Sequence, residues 1–357
     1  MDIIGIGLIG AGVMAEFYAQ TLRDTDGVMV RAVCPAQDED AAAFANRFGV
    51  PAAYPDHRAI GADSTVDAVC VVSPNTQHAE HAIAMLRAGK HVLVEKPMAV
   101  DARQAATMVT EARAADRLLL ENYPAPFEPN IAALREALPR IPQLRRATLV
   151  KDQYSSALDD YKAGKSPVAF DPASGGGSIL DLGFYSVSLA VHLFGEPETV
   201  SATGFLLDSG VDGQGVIVLG YPGFEVDCLH SKIASSTIDS QFAGEHQALI
   251  LDDISNPCRI RFLERGPSRR LEPVGDLSRE RSGNHLAYGI RAFVELLRAG
   301  APESTAHPLT DTVTKLRILD EARRQVGVRF PTDEPGTFGI RGCSRVISMR
   351  GDIGSAP

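Results

Sequence analysis

Short continuous apolar runs alternate with helix-spaced apolar positions over the first 120 residues. Residues 3–9 read as a strand, followed by a glycine turn and a helix to about Leu22. Residues 28–34 read as a second strand, and the alanine-rich run 41–48, ended by Gly49, as a second helix. Residues 68–72 are apolar without interruption, as expected of a strand covered on both sheet faces. Ala79, Ala82, Ile83 and Leu86 then share a helical face closed by Gly89, and residues 91–94 form the next strand. Asp101 caps a further helix to about Ala115, and residues 118–120 make another strand. Strands alternating with helices of this length predict a Rossmann-type, doubly wound parallel sheet over residues 1–122.

The pattern changes beyond Tyr123. Prolines at 124, 126, 129, 139 and 142 break the alternation and mark a junction. Strand-like segments recur at 147–154, 200–207, 216–221, 225–232, 247–251 and 259–262, mostly without crossover helices between them. This predicts an α+β domain with an open, mostly antiparallel sheet over residues 123–331. Two late helices belong to it. Leu286, Ile290, Phe293, Val294 and Leu297 share a face of the first, and the second runs from Thr310 to about Val326, capped at Thr310 or Asp311. Residues 332–357 lack periodicity and are expected to be poorly ordered.

With 357 residues, about 150 per domain agrees with two domains. There are 35 basic and 45 acidic side chains, a formal charge of −10, which argues against nucleic-acid and anionic-membrane partners. The five cysteines show no framework or ligand spacing, so a reducing cytoplasm is expected and no structural zinc. The start lacks the basic flank of a signal peptide, and no stretch reaches about 18 unbroken apolar residues.

Two overlapping matches to GxGxxG occur. The first, Gly5 to Gly10, lies within the predicted strand and is set aside. The second, Gly10-Ala11-Gly12-Val13-Met14-Ala15, sits at the strand-to-helix turn, where backbone amides and the helix N-terminus receive a pyrophosphate. A tight turn without a ligand is the alternative. The acid expected after the second strand is missing: the chain reads Cys34-Pro35-Ala36-Gln37, and Asp38 and Glu39 suit the start of the next helix. No arginine stands in for it, so the choice between NAD and NADP stays open.

Glu95-Lys96-Pro97 follows a buried strand at the carboxyl end of the sheet, where ligands collect in this architecture. A lysine there is a candidate acid–base group, its pKa lowered by a cofactor cation, or else a solvated strand-end residue. The run Gly175 to Tyr185 passes from a flexible glycine loop into an apolar helix. Asp181 and Tyr185, four apart, would share a face and could orient and deprotonate a hydroxyl, or equally start and pack a helix.

In combination these pieces resemble the Gfo/Idh/MocA family of oxidoreductases. The matching segments are Gly10-Ala11-Gly12, Ser73-Pro74-Asn75 with His78, residues 88–97, and the Gly175 to Tyr185 run, within residues 3–330. The resemblance implies a Rossmann domain followed by an α/β domain whose open sheet covers the site and forms a homo-oligomer interface. It implies oxidation or reduction of a secondary alcohol on a sugar, cyclitol or diol with NAD or NADP. By position it implies Lys96 as catalytic lysine, Asp181 as the substrate-placing carboxylate, and Tyr185 where many members carry a histidine. It places Gly10, Gly12, Val13, Met14, Ser73, Asn75, His78, Glu95, Lys96 and Asn122 around the dinucleotide. Gln153-Tyr154-Ser155-Ser156 and Ala169-Phe170-Asp171-Pro172 suggest the dihydrodiol-dehydrogenase-like branch. Pro126 departs from that branch by replacing an arginine at the pocket floor, and Pro35 occupies the ribose-reading slot. A redox-neutral sugar-modifying cycle on retained NAD, and a non-catalytic dinucleotide sensor, are the competing readings.

Overall fold

The computed structural model describes residues 3–10, 12–35, 41–281 and 283–333. Its first part comprises β1 (Ile4–Ile9), α1 (Gly12–Arg23), β2 (Val28–Cys34), α2 (Ala41–Phe48), β3 (Ala52–Ala53), α3 (His57–Ala62), β4 (Ala68–Val71), α4 (His78–Arg87), β5 (His91–Glu95), α5 (Ala102–Ala115) and β6 (Leu119–Asn122). The six strands pair in parallel in the order β3-β2-β1-β4-β5-β6. The apolar run of β4 is fully buried, because helices cover both faces of the sheet. Asp101 caps α5 as predicted, its carboxylate accepting from the Gln104 amide at 2.7 Å.

The second part comprises α6 (Pro129–Ala137), β7 (Leu144–Asp152), α7 (Ala157–Lys162), α8 (Phe184–Phe194), β8 (Thr199–Leu206), β9 (Asp212–Tyr221), β10 (Phe224–Ser231), β11 (Ser240–Gly244), β12 (Gln247–Leu251), β13 (Ile260–Arg265), β14 (Leu271–Asp276), α9 (Ala287–Arg298) and α10 (Leu309–Val326). Eight strands run in the order β14-β13-β12-β11-β7-β10-β9-β8. Every neighbouring pair is antiparallel except β7 and β10. The expected open, mostly antiparallel sheet is therefore present.

Several details differ from the sequence pattern. The strands β3, β11 and β14 carried no apolar signal: β3 has two residues, and β14 is an almost wholly exposed edge containing Pro273. The last helix begins at Leu309 directly after Pro308, without a side-chain cap from Thr310 or Asp311, because the fixed φ of proline sets its entry. The tail from 334 onward and Cys343 lie outside the described residues, as do Ala11 and the stretch 36–40. Pro172–Phe194 is long and apolar enough to cross a membrane by length and composition, yet 72% of its apolar 18-residue stretch is buried inside the fold.

Two late helices tie the parts together. Ile290 and Phe293 of α9 enter the core beside Leu8, Tyr18 and Leu93 of the first part. Leu316, Leu319 and Ala322 of α10 join the larger core, which runs from Val92 and Met108 to Leu149 and Phe242.

Candidate active site

The glycine turn between β1 and α1 divides its glycines by function. Gly5 and Gly7 lie inside β1, where an added Cβ would come within 1.9 Å of the Thr65 carbonyl oxygen and 2.6 Å of Ile60. They are packing glycines. Gly10 (φ +136°) donates its amide to the Cys34 carbonyl at 2.9 Å, and a Cβ there would strike the Val72 backbone at 2.5 Å. Gly12 (φ +77°) faces open space at the start of α1, with no atom within 4 Å of its would-be Cβ. The first turn of α1 carries no acid, and Val13 beside it is 81% exposed. An open, uncontested helix N-terminus beside exposed apolar surface fits a dinucleotide pyrophosphate. Met14 is half-buried and Ala15 fully buried, the small residue needed for close helix–sheet packing.

Behind this turn, His78 is sealed. Its Nδ1 lies 2.9 Å from the Pro97 carbonyl and its Nε2 2.7 Å from the Ser73 carbonyl, so the ring clamps two loops and has no face left for a ligand. Ser73 is buried, its Oγ 2.9 Å from His81 Nδ1, while Asn75 is half-buried in the adjoining turn. Glu95 and Asn122 are also buried. The Tyr18 hydroxyl of α1 donates to Glu95 Oε2 at 2.6 Å, and Asn122 Nδ2 donates to the same oxygen at 3.2 Å. Burial pushes the Glu95 carboxyl up, against the pull of Tyr18 and Lys96. In the sequence, Tyr18 shows only as a large polar side chain on the buried face of α1.

Lys96, Asp181 and Tyr185 converge although 85 residues separate the first two. Lys96 Nζ donates to Asp181 Oδ1 at 2.7 Å and stands 4.6 Å from the centre of the Tyr185 ring. Burial alone would push the lysine down, but Asp181, Tyr185 and Glu95 outweigh it and hold the ammonium above its usual range. On Asp181 burial works upward instead, and Lys96 with Lys232 overcomes it, holding the carboxylate well below the usual range. Burial raises the Tyr185 phenol, with Lys96 pulling back. Asp181 thus more than offsets what burial does to Lys96.

The local backbone is not what the four-residue spacing implied. Asp181 lies in a π-helical turn, Ile179–Gly183, and Tyr185 in the α-helix that follows. Such turns widen a helix and re-aim side chains at functional sites. Asp212 fixes the start of this turn, its Oδ2 accepting from the Ile179 amide at 2.8 Å, and burial pushes its carboxyl up to about 7. The glycine run before it is also a correction: Gly175, Gly176 and Gly177 are buried, and a Cβ on Gly176 would meet the Asp171 and Val168 backbones at 2.9 Å. Glycine is needed here for close packing, not for flexibility.

Lys151 of β7 approaches the other side, 5.8 Å from the Tyr185 ring, paired with Asp253 at 3.1 Å and Ser255 Oγ at 2.7 Å. Beneath the site, Glu121 is fully enclosed. It receives Lys315 Nζ from α10, His307 Nε2 at 3.2 Å and the Met98 amide at 2.8 Å. Burial would raise Glu121, but Lys315 and His307 hold it down at about 2. Pro126 sits in a short turn at residues 125–127, next to Phe127, whose ring lies 6.5 Å from His307. Lys232, Lys315 and His307 were not anticipated, because each comes from a segment without a recognisable motif. Among the described residues no cluster of metal-ligating side chains occurs.

Residues 4–123 match a family described as an oxidoreductase family with an NAD-binding Rossmann fold, and residues 148–248 match the GFO/IDH/MocA C-terminal domain. The chain is 33% identical over 332 residues to scyllo-inositol 2-dehydrogenase (NADP(+)) IolU of Bacillus subtilis, covering 93% of this chain and all of that protein. It is 32% identical over 343 residues to trans-1,2-dihydrobenzene-1,2-diol dehydrogenase of Macaca fascicularis, covering 93% and 98% of the two chains. In fold it is similar to KijD10, a 3-ketoreductase from Actinomadura kijaniata solved with NADP and TDP-benzene. That match has a TM-score of 0.78 at 24% identity and covers 92% of this chain and 99% of that one.

Proposed function

The chain belongs to the Gfo/Idh/MocA oxidoreductase family, and on that premise we propose that Lys96, Asp181 and Tyr185 carry a hydride transfer at a secondary alcohol or ketone of a sugar, cyclitol or diol. The observation that carries this reading is the convergence of the three side chains at the carboxyl end of the parallel sheet. When bound, a nicotinamide dinucleotide supplies the hydride acceptor for oxidation and the donor for reduction. Gly10 and Gly12, with the amides that open α1, would hold its pyrophosphate, and Val13 and Met14 would lie against it. Ser73, Asn75, Glu95 and Asn122 shape the neighbouring wall, with Glu95, Asn122 and Tyr18 locked together behind it and His78 holding the loops in place.

In oxidation, Tyr185 accepts the hydroxyl proton as the carbon loses hydride and its C–O bond becomes C=O. In reduction, the same phenol returns that proton. Lys96 keeps its own proton through Asp181, so its part is electrostatic: its positive charge favours the phenolate and the oxygen that gains negative charge. Asp181 orients the lysine and receives a hydrogen bond from a substrate hydroxyl. Since Tyr185 must be ionised to accept a proton, oxidation is expected to rise with pH. The relatives named above include one whose name carries NADP(+); in this chain Pro35 leaves both dinucleotides to be compared.

The test is a thermal-shift comparison with NAD and NADP, followed by an absorbance assay across cyclitols, diols and sugars. A melting shift with one dinucleotide and turnover abolished in both Lys96→Ala and Tyr185→Phe is the expected result. Full turnover in both variants would rule the assignment out.

A further inference from the structure

Asp181 is gripped by two lysines from opposite halves of the molecule. Lys96 takes Oδ1, and Lys232, one residue beyond β10, takes Oδ2 at 2.9 Å. The Lys232 side chain is only 7% exposed, whereas Asp181 keeps 40%. Its backbone is pinned on both sides: its amide donates to the Gly213 carbonyl at 2.8 Å, and its carbonyl accepts from Ser155 at 2.9 Å. Its Nζ lies 3.4 Å from the Ala169 carbonyl and 5.7 Å from the centre of the Phe170 ring. Burying an ammonium is costly, and one lysine already satisfies this carboxylate. The two cations therefore leave one positive charge in excess around a single carboxylate, next to Tyr185.

We propose that Lys232 is a positioning residue of the hydride-transfer site, holding Oδ2 of Asp181 so that Lys96 keeps uncompensated charge beneath the Tyr185 ring. Without it, Lys96 would be neutralised by an undivided carboxylate, and Asp181 would face Tyr185 with its full charge. Either change disfavours the phenolate and the developing oxyanion. The other charged or titratable groups bearing on this cluster are Glu95 at the end of β5, Tyr123 after β6, Lys151 on β7, Asp212 on β9 and His230 on β10. His230 is kept neutral by burial, which lowers it to about 3, and Lys151 is paired with Asp253. Apart from Lys96 itself, Lys232 is therefore the cation that bears most directly on Asp181.

This inference rests on Tyr185 being the proton acceptor. The experiment compares the full-length chain with Lys232→Met, Lys232→Arg and Tyr185→Phe, using the dinucleotide and alcohol that the wild type turns over. In Lys232→Met, kcat should fall about tenfold at neutral pH, and the rise of kcat/KM with pH should move about one unit upward. Lys232→Arg should restore the original profile, and dinucleotide Kd measured by calorimetry without substrate should stay within about twofold in both. An unmoved profile in Lys232→Met overturns the proposal, as does a loss of dinucleotide binding matching the loss of rate. Unimpaired turnover in Tyr185→Phe, or no turnover by the wild type on any alcohol, overturns the underlying reading and this inference with it.

Discussion

Two ionic clusters join the halves of this protein, and they use the same chemistry to different ends. In each, a residue at a strand end of the parallel sheet meets an oppositely charged residue from the second part: Glu121 with Lys315, and Lys96 with Asp181. The first is sealed, with side-chain exposures of 0% and 1%; the second opens to solvent, at 14% and 40%. A sealed pair cannot exchange protons with a substrate, and losing either partner leaves a charge buried without compensation. A pair open to solvent can lend its field to a reacting oxygen. Access, not composition, separates a clamp from a reactive centre.

The sharpest way to break this comparison is to remove a member of the open cluster. Lys96→Ala should lower kcat/KM by about 10²- to 10⁴-fold with little change in melting midpoint, as seen in a steady-state assay beside a thermal melt. A variant that melts early instead would make Lys96 a second clamp. Removing the sealed carboxylate should do the reverse. Glu121→Gln should cost about 3–5 kcal/mol in urea unfolding, because Lys315 is left buried and unpaired. Loss of less than about 1 kcal/mol would show that the pair is not a clamp.

A pH series sharpens the same contrast. Glu121 is held at about 2 against an ordinary value of 4.5. Its folded-state pKa is the lower one, so its stabilisation is complete above about 4.5 and lost as pH falls from there toward 2. The wild type should lose about 2–3 kcal/mol across that window relative to Glu121→Gln, whose curve should be flatter. The smallest effect calibrates the others at a site outside both clusters. Asp101→Ala removes the carboxylate that caps α5 and should cost about 1 kcal/mol in the same urea measurement, with activity per folded molecule unchanged.

Much of the first part was legible residue by residue. The predicted runs 28–34 and 41–48 coincide with β2 and α2, and the cap at Asp101 holds. Local periodicity and turn chemistry decide such elements. The misses have local causes as well: β3 is too short to show a period, β14 too exposed to show an apolar one, and Pro308 sets the start of α10. In the site, Lys96, Asp181 and Tyr185 could be named from motif-bearing segments. Lys232 and Lys315 could not, because a lysine in a strand-end or helical context carries no signal until its partner is known.

The chain by itself determined the alternation of strands and helices, the turn that presents Gly12, and which apolar faces must be buried, since these follow from neighbours within a few residues. Tertiary structure decided everything that depends on distant residues meeting. It turned Gly175–Gly177 from an apparent flexible loop into packed backbone, set Asp181 in a π-helical turn, and divided that carboxylate between two lysines. It also set Asp181 against Lys96, which favours the protonated ammonium. Charge interactions act through space and depend on burial, so their outcome is set only when the two halves close on each other.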